Sequence, residues 1–150
     1  MTQAASFPYA TARFALPVLF AGQAQKEFTV NEALSRIDML LHPTVIGAAN
    51  SPPATPAVGD CYLVSVSASG AFAEHEGCLA GWDGQQWTFA EPFDGMRLYD
   101  HTAGMTLLFD GEWKSASAPA TPTGGSIVDA EARAAIDQLA EALRTLRLLG

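Results

Sequence analysis

The chain has 150 residues, 49% of them hydrophobic and only 16% charged, which is enough apolar material to bury one core without metals or disulfides. Its net charge of -8 is concentrated in residues 51–125, where Asp60, Glu74, Glu76, Asp83, Glu91, Asp94, Asp100, Asp110 and Glu112 face only Arg97 and Lys114. Affinity for a phosphate backbone comes mainly from Lys and Arg, so no nucleic-acid partner is expected, and no apolar run reaches the ~20 residues of a membrane span, so no membrane insertion is expected either.

The first element along the chain is apolar: Phe14-Ala15-Leu16-Pro17-Val18-Leu19-Phe20, followed by Gly22-Gln23-Ala24-Gln25-Lys26-Glu27. Pro17 lacks an amide hydrogen and biases the residue before it away from the helical region, so an extended arm is expected. Such an arm must pack on its own domain or on a neighbour, which makes Phe14, Leu16, Val18 and Phe20 candidate interface residues. Residues 14–24 also imitate a secretory signal, but Pro17 interrupts the stretch and little positive charge precedes it, so synthesis in the cytoplasm is expected.

Thr29 and Glu32 have the spacing of a capping box, and Val30, Ala33, Leu34, Ile37, Leu40 and Leu41 recur at helical intervals up to Pro43. The pattern predicts a helix whose wide apolar face packs against a sheet or another helix. After a proline-rich linker at residues 51–56 the pattern changes period, and residues 60–114 read as antiparallel β structure. Strands are expected at 61–66, 79–82, 87–90, 96–99, 106–109 and 112–114. Asp83-Gly84 and Asp110-Gly111 mark hairpins, both residues of each pair being expected at the turn centre with positive φ.

Residues 116–125, with Pro119 and Pro122, form a second linker before a C-terminal helix of about 24 residues. Ser126 is placed to cap it, Asp129 and Glu131 suit its first turn, and Arg144 and Arg147 suit its last. Ala132, Ile136, Leu139, Leu143 and Leu146 are spaced four, three, four and three, which is a heptad seam. A narrow seam on a tethered helix either joins copies or partners, or folds back on its own domain. Ile136, Leu139, Leu143 and Leu146 are therefore candidate oligomer contacts.

Catalytic patterns are absent from the sequence: His42, His75 and His101 are scattered, and no phosphate-binding or nucleophile-elbow motif occurs. Glu74-His75-Glu76 is the densest polar cluster, read either as a cation site or as a solvated loop. Asp83, Glu91, Asp94 and Asp110 have the type needed for glycan hydrolysis, but Asp83 and Asp110 already serve turns. Cys61 and Cys78 have no metal-ligand spacing and read as free thiols on strands. Trp82, Trp87 and Trp113 are candidate glycan contacts or, equally, cross-strand packing. No enzyme activity, cofactor or metal is expected.

One resemblance goes further. Thr11-Ala12-Arg13-Phe14-Ala15-Leu16-Pro17, Gly22-Gln23-Ala24-Gln25-Lys26-Glu27 and Asn31-Glu32-Ala33-Leu34, with Gly59-Asp60 and the Trp82-Asp83-Gly84 to Trp87 hairpin, resemble a domain family of unknown function found in prophages and gene transfer agents. The resemblance implies a virion protein at the surface of a phage-like particle, a head-spike or tail-fibre base that supports host attachment. It carries no catalytic residues. Capsid, tail or other fibre proteins, and cell-surface polysaccharide, are the partners it implies.

The expected class is α+β: an arm and helix over residues 1–50, a compact, mainly antiparallel β domain over 51–118, and a linker with a heptad-bearing helix over 119–150. A homo-oligomer, trimer or pentamer, is expected, with polysaccharide binding as the alternative function.

Overall fold

The computed structural model describes residues 26–120 and 129–149. Helix α1 (Lys26–Leu41) leads into two short strands, β1 (Thr44–Val45) and β2 (Ala48–Ala49), then β3 (Cys61–Val64), β4 (Leu79–Trp82), β5 (Trp87–Ala90), β6 (Arg97–Asp100), β7 (Met105–Phe109) and β8 (Trp113–Lys114). Helix α2 (Ala130–Thr145) follows. The class is α+β, mostly β. The arm residues Phe14, Leu16, Val18 and Phe20, and Ser126, lie outside the described residues.

Two four-stranded sheets form, in the orders β1-β6-β7-β8 and β2-β3-β4-β5. Hairpin neighbours pair antiparallel, as the alternating pattern predicts, whereas β1 on β6 and β2 on β3 are parallel, so both sheets are mixed. The sequence pattern missed β1 and β2, because two-residue strands leave no period to read. They matter nonetheless: residues 44–49 feed both sheets, so the linker at residues 51–56 does not separate a helical part from a β part. Val45, Leu63, Leu79, Met96 and Leu98 fill the core between the sheets, with Met39 of α1.

The second sheet uses both faces. Val64 and Ala80 point away from the inter-sheet core and are covered by Phe72, which sits on a single 3-10 turn (Gly70–Phe72) and is fully buried. Phe72 meets Trp87 and Phe89 edge-on, at ring-centre distances of 4.9 and 6.1 Å.

Three local expectations are corrected. Thr29 lies inside α1 and not at its start, because Lys26 already belongs to the helix. Neither Asp83 nor Asp110 has positive φ; the glycines alone do, Gly84 at 99° and Gly111 at 71°. Asp83 works instead through its side chain, whose Oδ1 accepts from the amides of Gln85 and Gln86 at 2.8 Å each. Finally, α2 has 16 residues and is capped by Asp129, whose carboxylate accepts from the Ala132 amide. It ends in a Schellman turn: the Leu148 amide reaches the Leu143 carbonyl, the Arg147 amide reaches that of Arg144, and Arg147 takes φ 57°.

Of the apolar face expected on α1, Leu40 packs against the core while the other large side chains stay exposed. At 100° per residue Val30, Leu34, Ile37 and Leu41 form one narrow stripe, and Met39 lies on the opposite side. Met39 is the residue that enters the core, while the stripe is 38%, 56%, 37% and 67% exposed. A Cβ built on Gly81 would meet the Met39 sulfur at 3.0 Å, so a side chain there must displace Met39 by a few tenths of an ångström. Gly81→Val is expected to destabilise the fold by about 1–3 kcal/mol through overpacking. Adding Met39→Ala should make the pair cost less than the sum of the singles, which a double-mutant cycle in urea reads.

Candidate functional site

On the outer face of the second sheet, Trp82 and Trp87 are directly opposite across the β4–β5 hairpin, with ring centres 5.1 Å apart. Tyr62 approaches Trp87 edge-on at 6.1 Å. Burial, and then the charge and hydrogen bond of Asp60, raise the Tyr62 phenol above its ordinary value. These rings are half-buried, so their packing role is secured while an edge stays open to solvent. Trp113 is not part of this group: it sits on β8 in the other sheet, and its indole N–H donates to the Gly77 carbonyl at 2.8 Å.

The polar candidates are mostly occupied by structural bonds. His75 stacks on Phe89 with ring centres 3.7 Å apart and planes within 6°, so it acts as a packing ring. Glu76 accepts from the Ala68 amide at 3.1 Å. Asp94 accepts from the Gly111 amide, and Asp110 pairs with Lys114 at 2.9 Å. Among the described residues no group of three or more His, Cys, Asp or Glu side chains is arranged to hold a metal ion.

Cys61 and Cys78 are free thiols. Burial raises both above the ordinary value, with Asp38 and Asp60 adding at Cys61 and Glu91 and Glu76 adding at Cys78. Protonated, half-buried or buried thiols next to carboxylates are poor nucleophiles.

The remaining candidates lie on the helices. Besides the α1 stripe, Ile136, Leu139 and Leu146 of the α2 seam are 45%, 62% and 64% exposed, and Leu143 is half-buried. The end of α2 is nevertheless tied to the β domain: the Thr106 amide donates to the Arg147 carbonyl at 2.7 Å, and Leu149 bridges Ala116. The helix therefore buries Ala140 and is tied by its C-terminal end, while Ile136, Leu139 and Leu146 stay exposed. Sequence reasoning found the residues of the α1 stripe and expected them to pack against a sheet or another helix; period alone does not say which way a face points.

A family described as proteins of unknown function (DUF2793) matches residues 30–114. The chain belongs to this family. The DUF2793 match covers the body of α1 and all eight strands, and so includes Asn31-Glu32-Ala33-Leu34, Asp60 and the Trp82–Trp87 hairpin, while the arm and α2 lie beyond it. No curated protein and no solved structure matches the chain.

The thiol environment sets an alkaline limit. With folded values raised, the stability these groups contribute is complete below the ordinary thiol value of about 8.5 and is lost as pH rises through the folded values, because the unfolded chain then releases protons that the folded one keeps. Urea midpoints at about pH 7 and about pH 10 are expected to show the fall, and the double variant Cys61→Ala, Cys78→Ala to show less of it.

Proposed function

We propose that the protein is a non-catalytic structural component of a phage-like particle, a head-spike or tail-fibre base assembled from several copies and supporting attachment to the host surface. The observation that carries this reading is the pair of exposed heptad-spaced stripes: Val30, Leu34, Ile37 and Leu41 on α1, and Ile136, Leu139 and Leu146 on α2. Apolar side chains in register along a helix cost free energy in water and are stable when covered, at about 25 cal/mol per Å² of apolar surface buried. A chain with only 16% charged residues has little else to keep such stripes solvated. The resemblance of the arm and hairpin motifs to prophage and gene-transfer-agent proteins supplies the particle. The occupied carboxylates and protonated thiols favour structure over chemistry.

Light scattering of the full-length chain tests the reading. A defined oligomer is expected, and Leu139→Glu with Ile136→Glu should lower its mass to that of a smaller species with the β domain still folded. Point substitution is the sound test, because cutting the chain before α2 would also remove the bonds of residues 147–149 to the β domain. A monomer in both cases would overturn it.

A second reading rests on the Trp82–Trp87 pair beside Tyr62, an aromatic edge of the kind on which sugar rings stack. It makes the protein a binding module for host capsular polysaccharide. Trp82→Ala should then weaken binding of a capsular oligosaccharide at least about tenfold in calorimetry, equivalent to about 1.4 kcal/mol, whereas Trp113→Phe should leave it unchanged.

A further inference from the structure

Strand β5 is an edge strand, and one side of it is open. The register Trp82↔Trp87, Gly81↔Thr88 and Leu79↔Ala90, with the Asp83 amide donating to the Gln86 carbonyl, fixes which groups point where. Gln86, Thr88 and Ala90 turn their N–H and C=O toward β4, so those of Trp87, Phe89 and Glu91 point outward. None of these outward groups has a partner among the described residues.

The edge is also recessed. A groove of about 670 Å³ runs along it, walled by Glu32, Arg36 and Leu40 of α1 on one side and by His75 on the other. An uncovered edge of this kind is a template for strand addition.

We propose that the β5 edge receives residues 14–20 of a second copy of this chain as an added strand. Three features of that segment fit. Leu16 precedes Pro17 and is thereby biased to extended backbone. In a strand, alternate amides face opposite edges, so Phe14, Leu16, Val18 and Phe20 form one set and Ala15, Pro17 and Leu19 the other. With the first set bonded to Trp87, Phe89 and Glu91, Pro17 falls on the outer edge, where no donor is needed and further pairing is blocked. Arg13, the one charged side chain in residues 1–25, then lies next to a groove whose Glu32 is paired with Arg36 and whose second carboxylate, Glu91, lies on the β5 edge itself.

The inference rests on the reading of the protein as an assembly of copies, and the experiment separates the two. Amide hydrogen exchange of the full-length protein reads the edge, and light scattering of the same sample reads the assembly. In the oligomer, the Trp87, Phe89 and Glu91 amides are expected to exchange at least about tenfold more slowly than in Val18→Pro, which removes a bonding donor. Leu19→Pro, which removes an outward one, should leave them protected. An oligomer whose β5 amides exchange as fast as in Val18→Pro overturns the added strand while leaving the assembly standing. Protection that persists in a monomer overturns the second copy as its source, and a monomer with fast exchange overturns both.

Discussion

The domain depends on the passage of residues 43–49 between its two sheets. Within this short stretch the backbone bonds first to β6, with Tyr99 donating to the Pro43 carbonyl and His101 to that of Val45, and then to β3, with Ile46 donating to Cys61 and Leu63 to Gly47. Val45, almost wholly buried, is thereby held between the sheets against Leu79 and Leu98. The crossing has no room to spare. A Cβ on Gly47 would stand 2.8 Å from the Thr102 hydroxyl, which itself donates to the Ile46 carbonyl at 2.6 Å. Two parallel pairings of two residues each are weak alone, and it is their position on both sheets at once that makes them the hinge of the core.

From that crossing follows the uneven use of the two sheets. The inner faces share one core, which Met39 enters from α1, while the outer face of β2-β3-β4-β5 needs a cover of its own and finds it in Phe72. Because α1 meets the core through Met39 and Leu40, its apolar stripe is turned away. The same arrangement leaves a channel between α1 and β5. An exposed stripe, an exposed seam and a recessed open edge on one small domain are the features expected of a part whose remaining burial is supplied by other chains.

Several of the polar side chains singled out by sequence serve the fold. Asp83, Asp94, Asp110 and Glu76 each hold a turn or a loop, His75 is stacked, and both thiols are pushed toward the protonated form. The proposed structural role therefore draws on surfaces, and the aromatic edge at Trp82 and Trp87 carries the alternative reading as a glycan-binding module.

The sequence by itself determined the elements with a clear period or a clear turn. Strands β4 and β5 lie where alternation and the Asp-Gly signal placed them, and both helices follow their apolar spacing, since these are local properties of the backbone and its immediate side chains. It also determined that Ile136, Leu139 and Leu146 share one face. Tertiary structure alone decided what those faces meet. The α1 stripe has the same period whether it points in or out, and the packing of Met39 and Leu40 on the core leaves it outward. Strands β1 and β2 are too short to show a period and exist because β6 and β3 offer them partners. The separation of Trp113 from the Trp82–Trp87 pair, and the openness of the β5 edge, depend on strand order, which arises from contacts between residues far apart in the chain.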